Sequence, residues 1–309
     1  MLRYLLQRLG LALVSIWVVC TITFFIAYLA PGDPAQIAAG QHSDPATIAR
    51  VRHEFGLDRP PGARYVSYLR GLAHGDLGKS FYDREPVTTF LKRGLPNTAL
   101  LATCAIVLAL AVGVPIGLLA ALKPNSILDR ALMTTVLVGV TLPNFVLGPV
   151  LVLLFALKLH WLPVAGWGGP QYVILPAVVL AARPAALMAR MTRASLLETL
   201  RQDYIRTARA KGLSPATVLV KHALKNAFLP VLTTLGVQLG YLLTGSFVVE
   251  TIFTVPGIGF QSINSLFQRD YSVIQGTTLV IAVIFILTSL VVDLLYALLD
   301  PRIRALHSS

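Results

Sequence analysis

Six stretches of about twenty mostly apolar residues dominate this chain, at 9–30, 98–122, 131–157, 172–191, 229–249 and 277–299, and they decide its fold class. A helix rising about 1.5 Å per residue needs about 20 residues to cross a hydrocarbon layer roughly 30 Å thick. Within that layer no water satisfies the backbone N–H and C=O groups, so spans of this length should be helices. The expectation is an all-α integral membrane protein with six transmembrane helices. Charged residues make up 13% of the sequence, about half of the roughly 25% usual in soluble domains. The fourth run is the weakest, because Arg183 and Pro184 interrupt it. The first run has the positive start of a signal peptide but exceeds the usual ~7–15 apolar residues. It also lacks a small-x-small cleavage site before Pro31, so it reads as a retained helix.

A net charge of +12 could suggest a nucleic-acid partner, but its distribution argues for topology instead. With the amino terminus inside, the inner tails and loops hold fifteen basic residues: Arg3, Arg8, Lys123, Arg130, nine from Arg183 to Lys225, Arg302 and Arg304. The two short outer loops hold only Lys158 and Arg269. This asymmetry places both termini in the cytoplasm. The first outer loop, 31–97, carries nine basic and seven acidic residues and is too long to be a simple connection. It has its own helix signals: Ser43 or Asp44 capping a start at Pro45, a helix-compatible run over 64–73, and Pro86 opening a turn towards Arg93. The chain thus divides into an amino-terminal tail and first span (1–30), an outer loop subdomain (31–97), a five-helix core (98–299) containing an inner loop (192–228), and a tail (300–309).

The inner loop carries the most specific pattern, DYIRTARAKGLSPATVLVKHALKNAFLP over 203–230. It reads as two short helices with a corner. Gly212 stands where a left-handed residue ends the first, and Ser214-Pro215 supplies an N-cap and first-turn pair for the second. Tyr204, Thr207, Ala208 and Lys211 share one face at helical spacing, and Ala208 and Ala210 permit close approach. A corner of this kind outside a bilayer suits a push from a soluble partner. A basic loop obeying the positive-inside rule would require neither the glycine corner nor the alanines.

This segment resembles the EAA loop of ABC-importer permeases, specifically the dipeptide/oligopeptide/nickel branch. Arg206-Thr207-Ala208 stands where the general loop has Glu-Ala-Ala before its glycine, here Gly212. The missing glutamate and the longer interval to Pro230 both look like that branch. PGDP (31–34), FGLD (55–58), GDLGKSF (75–81), LPNFVLG (142–148), VETIFTVPGIG (249–259), RDY (269–271) and DPRIR (300–304) extend the resemblance from end to end. It implies a type I importer permease in the bacterial inner membrane, with a long periplasmic loop after the first helix. Its expected partners are a paralogous permease, two cytoplasmic ATP-binding subunits, a periplasmic or lipid-anchored solute-binding protein, and membrane lipid. The loop residues Asp203, Tyr204, Arg206, Thr207, Ala208, Arg209, Ala210, Lys211, Gly212, Leu213 and Ser214 would then form the ATPase-coupling element. Peptides are the leading substrate, while nickel chelates, glutathione and opines use similar permeases.

Within the spans, Asn144 beside Pro143, Gln238, and Ser246 are candidates for the translocation path. Interhelical hydrogen bonding explains polar side chains at such depths equally well. Gly236 and Gly240, then Gly245 with Ser246, give the fifth span a thin face, and Gly113 and Gly117 do so for the second. Arg183, Arg190, Asp293 and Glu250 fall near span ends, where snorkelling or interfacial pairing accounts for them. Cys20 and Cys104 lie within spans and read as packing residues, with neither a disulfide nor a metal pair implied. His53-Glu54 begins a zinc motif whose second histidine is replaced by Leu57, and there is no GxxxxGK[ST] phosphate loop. The expectation is therefore a non-catalytic subunit without its own cofactor, ATP and Mg being held by its partners. A proton-coupled secondary transporter would require a buried carboxylate relay, and neither that nor an internal repeat is evident. A membrane scaffold is the other rival, distinguished by absence of flux.

Overall fold

A computed structural model describes residues 2–40 and 44–299, with side chains for all of these except 2–6, 233, 243–245 and 293–299. Ser43, Arg302, Arg304 and the DPRIR run lie outside the described residues, as do the side chains of Arg3 and Asp293 and the surroundings of Gly245. The helices are α1 (Leu2–Leu29), α2 (Pro34–Ala39), α3 (Pro45–Glu54), α4 (Pro61–Ala73), α5 (Val87–Leu122), α6 (Ile127–Thr141) and α7 (Asn144–Leu151). They continue with α8 (Pro170–Leu200), α9 (Asp203–Ala210), α10 (Pro215–Thr217), α11 (Lys225–Phe253), α12 (Ile258–Phe267) and α13 (Tyr271–Leu299). Short π-helical stretches follow α7 (Val152–Lys158) and α10 (Val218–Leu224). No strand occurs among the described residues.

The spans in α1, α5, α8 and α13 are each long and apolar enough to cross a membrane, and two bent helices bring the number of candidate crossings to six. One bent pair is α6 with α7 and its π extension, which meet at 107°. Pro143 has no N–H to donate and forces Leu142 into extended backbone, so the helical ladder stops and restarts at Asn144. The apolar run at 131–157 is thus two helical pieces that meet at a sharp break. Pro184, by contrast, does not end α8, which continues for another sixteen residues. Its C-terminal half is held against α5 at two glycines: a Cβ on Gly113 would come within 2.4 Å of the Ala185 carbonyl, and one on Gly117 within 2.3 Å of the Ala189 carbonyl. Backbones this close leave no room for side chains between them.

The chain forms two compact units. One contains the residues up to Thr98 together with Pro256–Leu287. Here Asp33 caps α2 and also pairs with Arg52 of α3, while Asp44 caps α3 through Thr47 N–H. Helix α4 lies along α1 through Phe24, Phe25, Tyr65 and Tyr68, and the Arg64 guanidinium sits 5.3 Å above the Tyr28 ring. Burial pushes the Tyr68 phenol up to about 12. GDLGKSF and RDY meet in this unit. Buried Asp270 accepts from Ser80 Oγ and from the N–H groups of Phe81 and Tyr82, and caps α13 through Val273 N–H. Val87 and Leu91 of α5 pack against Ile258 and Val273, so the turn opened by Pro86 continues directly into the second span.

The other unit comprises Ala99–Val255 and the chain from Thr288 onward. Its main core joins α5, α8 and α11 through residues such as Leu101, Ala105, Leu180, Leu242 and Phe253. Gly236 of α11 meets Val292 of α13, whose side chain would lie 2.5 Å from an added Cβ.

Candidate coupling corner and translocation path

The corner begins with eight residues of α9. Ile205 is its one branched aliphatic residue, and Ala208 lies one turn later on the same face. Both are buried in a cluster with Ala121 of α5, Leu196 of α8, Val218 and Ala223 of the following π turn, and Ala227 of α11. The sequence pattern groups Ala208 with Tyr204, Thr207 and Lys211, but the structure pairs it with Ile205 because Ile205 has the larger apolar surface to remove from water. Tyr204, Thr207 and Lys211 stay exposed, as do Asp203, Arg206, Arg209 and Ala210. The face away from the cluster is consequently basic and open.

Gly212 ends the helix at φ +77°, the left-handed region that a β-branched residue avoids. Its N–H donates to the Arg209 carbonyl at 2.9 Å. Leu213 and Ser214 are exposed, and Ser214 Oγ caps α10 by accepting from Thr217 N–H at 3.3 Å. One hydrogen bond fastens the corner to α11, and another joins its two flanks, α8 and α11. Asn226 Nδ2 donates to Tyr204 Oη at 2.8 Å, and buried Ser195 Oγ donates to the Ala227 carbonyl at 2.9 Å. The π stretch 218–224 then adds its wider turn between α10 and α11.

An ion pair that sequence reasoning missed supports this region. Arg193 Nε and Nη2 each donate to Asp129 at 2.7 Å, a bidentate fork joining α8 to the start of α6. Asp129 is buried, accepts also from Asn125 N–H at 2.8 Å, and its own N–H is capped by Ser126. The sequence signal was available as Ser126–Asp129 in an N-cap register, but the partner lies 64 residues away.

Of the path candidates, Asn144 opens α7 and is half-buried, whereas Gln238 and Ser246 are buried on α11. Gln238 Oε1 is enclosed without a hydrogen-bond partner among the described residues. Helix α7 packs on α11, with Gly148 against Ile252. No direct contact joins Asn144 to Gln238 among the described hydrogen bonds. Cys20 and Cys104 are unbonded thiols, and no cluster of metal-ligating side chains occurs among the described residues.

Comparison with known proteins gives these features a family. Residues 113–305 match the model of the binding-protein-dependent transport system inner membrane component, and residues 1–102 match the amino-terminal model of such membrane components. The dipeptide transport system permease protein DppB of Bacillus subtilis is 42% identical over 305 residues, covering 98% of both chains. The glutathione transport system permease protein GsiC of Pectobacterium atrosepticum is 41% identical, over 98% of this chain and 99% of that protein. The di/tripeptide transport system permease protein DppB of Pseudomonas aeruginosa is also 41% identical, with the same coverage. A chain of the MetNI methionine ABC transporter, solved in inward-facing conformations, superposes with a TM-score of 0.60 at 19% identity, over 69% of this chain and 97% of that one. That likeness concerns the fold. The chain belongs to the binding-protein-dependent transport system inner membrane component family and is a multi-pass inner-membrane permease subunit of an ABC importer.

Proposed function

We propose that this permease moves di- and oligopeptides, driven by two cytoplasmic ATP-binding subunits that dock on the α9–α10 corner. The observation that carries the reading is the division of α9 between two faces. Ile205 and Ala208 lock it into the permease, and Arg206, Arg209, Ala210 and Lys211 remain exposed beside the Gly212 turn. A short helix anchored on one side and bare on the other transmits a push as a rigid lever. The cluster delivers that push to the ends of α5, α8 and α11 together. Peptides are the substrate class because relatives at 41–42% identity over nearly the full chain are named for dipeptides and di/tripeptides.

The remaining parts of the assembly follow from the same reading. A paralogous permease completes the path, surrounding lipid covers the exposed apolar faces of α1, and a solute-binding protein delivers substrate to the side carrying 31–97. Asp203 through Ser214 lie on the cytoplasmic side with both termini. ATP and Mg stay with the partner subunits. Asn144, Gln238 and Ser246 contribute polar groups along the path. Mass spectrometry of the gently solubilised native assembly tests this. ATP-binding subunits with a retained series of peptides are expected. Recovery without any ATPase, under conditions that preserve a known ABC transporter, would reject the coupling role. A single glutathione-like solute would keep the mechanism and change the substrate.

A further inference from the structure

Arg183 sits on α8 eleven residues into the apolar run 172–191 and eight from its inner end, about 12 Å inside that end at 1.5 Å per residue. An arginine at that depth is out of place against lipid. Its guanidinium stacks over the Tyr241 ring of α11 at 4.7 Å, which holds it at depth instead of letting it snorkel. It has no ion pair or hydrogen bond among the described residues. Stacking occupies the face of the guanidinium and leaves its planar fork of N–H donors free.

The surroundings of Arg183 change abruptly along α8. On its face towards the outer end, Pro176, Val179 and Leu180 are buried, Val179 and Leu180 in the dry cluster that includes Leu242 and Phe253. Towards the α9 corner the same face carries Arg190, Ala194 and Glu198, all exposed. Arg183 therefore stands at the edge of a dry plug, with buried Ala186 and half-buried Leu187 between it and exposed Arg190. One turn before Tyr241, Gln238 is 7% exposed and its Oε1 lacks a donor. A free, exposed cationic fork matches the carboxylate of a zwitterionic or peptide-like solute. Dipeptides, tripeptides and glutathione, for which relatives are named, all possess a free carboxylate.

We propose that Arg183 is a substrate-binding residue of the translocation path, receiving a free carboxylate of the transported solute through its guanidinium fork while Tyr241 holds it in place. This rests on the peptide-importer reading and adds to it the group that recognises the substrate. Bidentate recognition requires the planar fork as well as the charge.

Two measurements on the complete transporter in proteoliposomes test the assignment. At subsaturating labelled dipeptide, Arg183→Gln should lower uptake about 10- to 100-fold, the range for losing a charged hydrogen-bonded contact. Arg183→Lys should recover part of it, with the ATPase subunits still co-purifying in both. Unchanged uptake in Arg183→Gln would overturn the proposal. The second measurement places Arg183→Cys in a Cys20→Ser, Cys104→Ser background and follows its reaction with a charged, water-soluble thiosulfonate. The cysteine should react, and a dipeptide should slow the reaction more than the same dipeptide amidated at its carboxyl end. An unreactive cysteine in an assembled transporter, or equal protection by acid and amide, would also overturn it. A wild-type transporter that moves no dipeptide would reject the peptide reading. The thiol experiment would then still separate an aqueous position from a lipid-facing or protein-covered one.

Discussion

At Gly212 the backbone stands at φ +77° with no heavy atom near the place of a Cβ, so the constraint there is conformational and not steric. Gly212→Val should strain the turn by about 1–3 kcal/mol and shift α9 relative to α10. The expected result is a permease that folds and inserts but retains less ATPase on co-purification, while Gly212→Asn is milder because asparagine tolerates the left-handed region. The Asp129–Arg193 fork makes a separate claim. Asp129→Ala should destabilise the permease by about 3 kcal/mol, near the low end for breaking a buried pair because the Arg193 side chain keeps 27% exposure. A thermal-shift comparison in detergent checks it, and equal midpoints for wild type and variant would reduce the pair to a surface contact. Gly212 was legible in the sequence because its conformation is a local property. Asp129 and Arg193 were not, since their pairing depends on how α6 and α8 cross.

Elements show the same division between local and distant causes. The six apolar runs could be read directly, and Pro45, Pro215 and Gly212 marked helix boundaries within a residue or two. The 107° break in the third span needed Pro143 to be read as a terminator, whereas Pro184 in α8 is spanned because α5 packs tightly on the residues that follow. Gly117→Val puts a branched side chain where even a Cβ meets a carbonyl at 2.3 Å. Overpacking of this kind costs about 1–3 kcal/mol or more, and the yield of inserted, monodisperse protein should fall. A normal yield would mean that α5 and α8 separate easily. In the outer subdomain, Asp270 gathers the Ser80–Tyr82 loop and starts α13. Asp270→Ala should release that loop, and limited proteolysis should then cut between Gly75 and Arg84 much faster than in wild type. Unchanged cleavage would show that Asp270 does not hold it. GDLGKSF and RDY were each legible as motifs, yet only the fold reveals that they meet.

Across the whole molecule, the buried cluster at α9, the glycine seam of α5 with α8, and the α8–α11 core form the route that the proposed coupling would use between Ile205 and the long helices. The sequence located the corner and the face shared by Tyr204, Thr207, Ala208 and Lys211, but helical periodicity finds faces without saying which one a tertiary cluster covers. Ile205 settled that. The candidate path was less legible still: Gln238 and Ser246 are buried as polar span residues should be, while Arg183 became informative only through Tyr241 and the plug beside it. The central claim is that ATP hydrolysis elsewhere drives solute through this chain by way of the Gly212 corner. Its most direct test is accumulation of labelled dipeptide in proteoliposomes holding the complete transporter, measured with ATP, without ATP, and with Gly212→Val in place of wild type. The account predicts accumulation only with ATP, and its loss or at least about a tenfold decrease in the variant, equivalent to about 1.4 kcal/mol of coupling. Accumulation that proceeds without ATP, or that is as fast in Gly212→Val as in wild type, would contradict it.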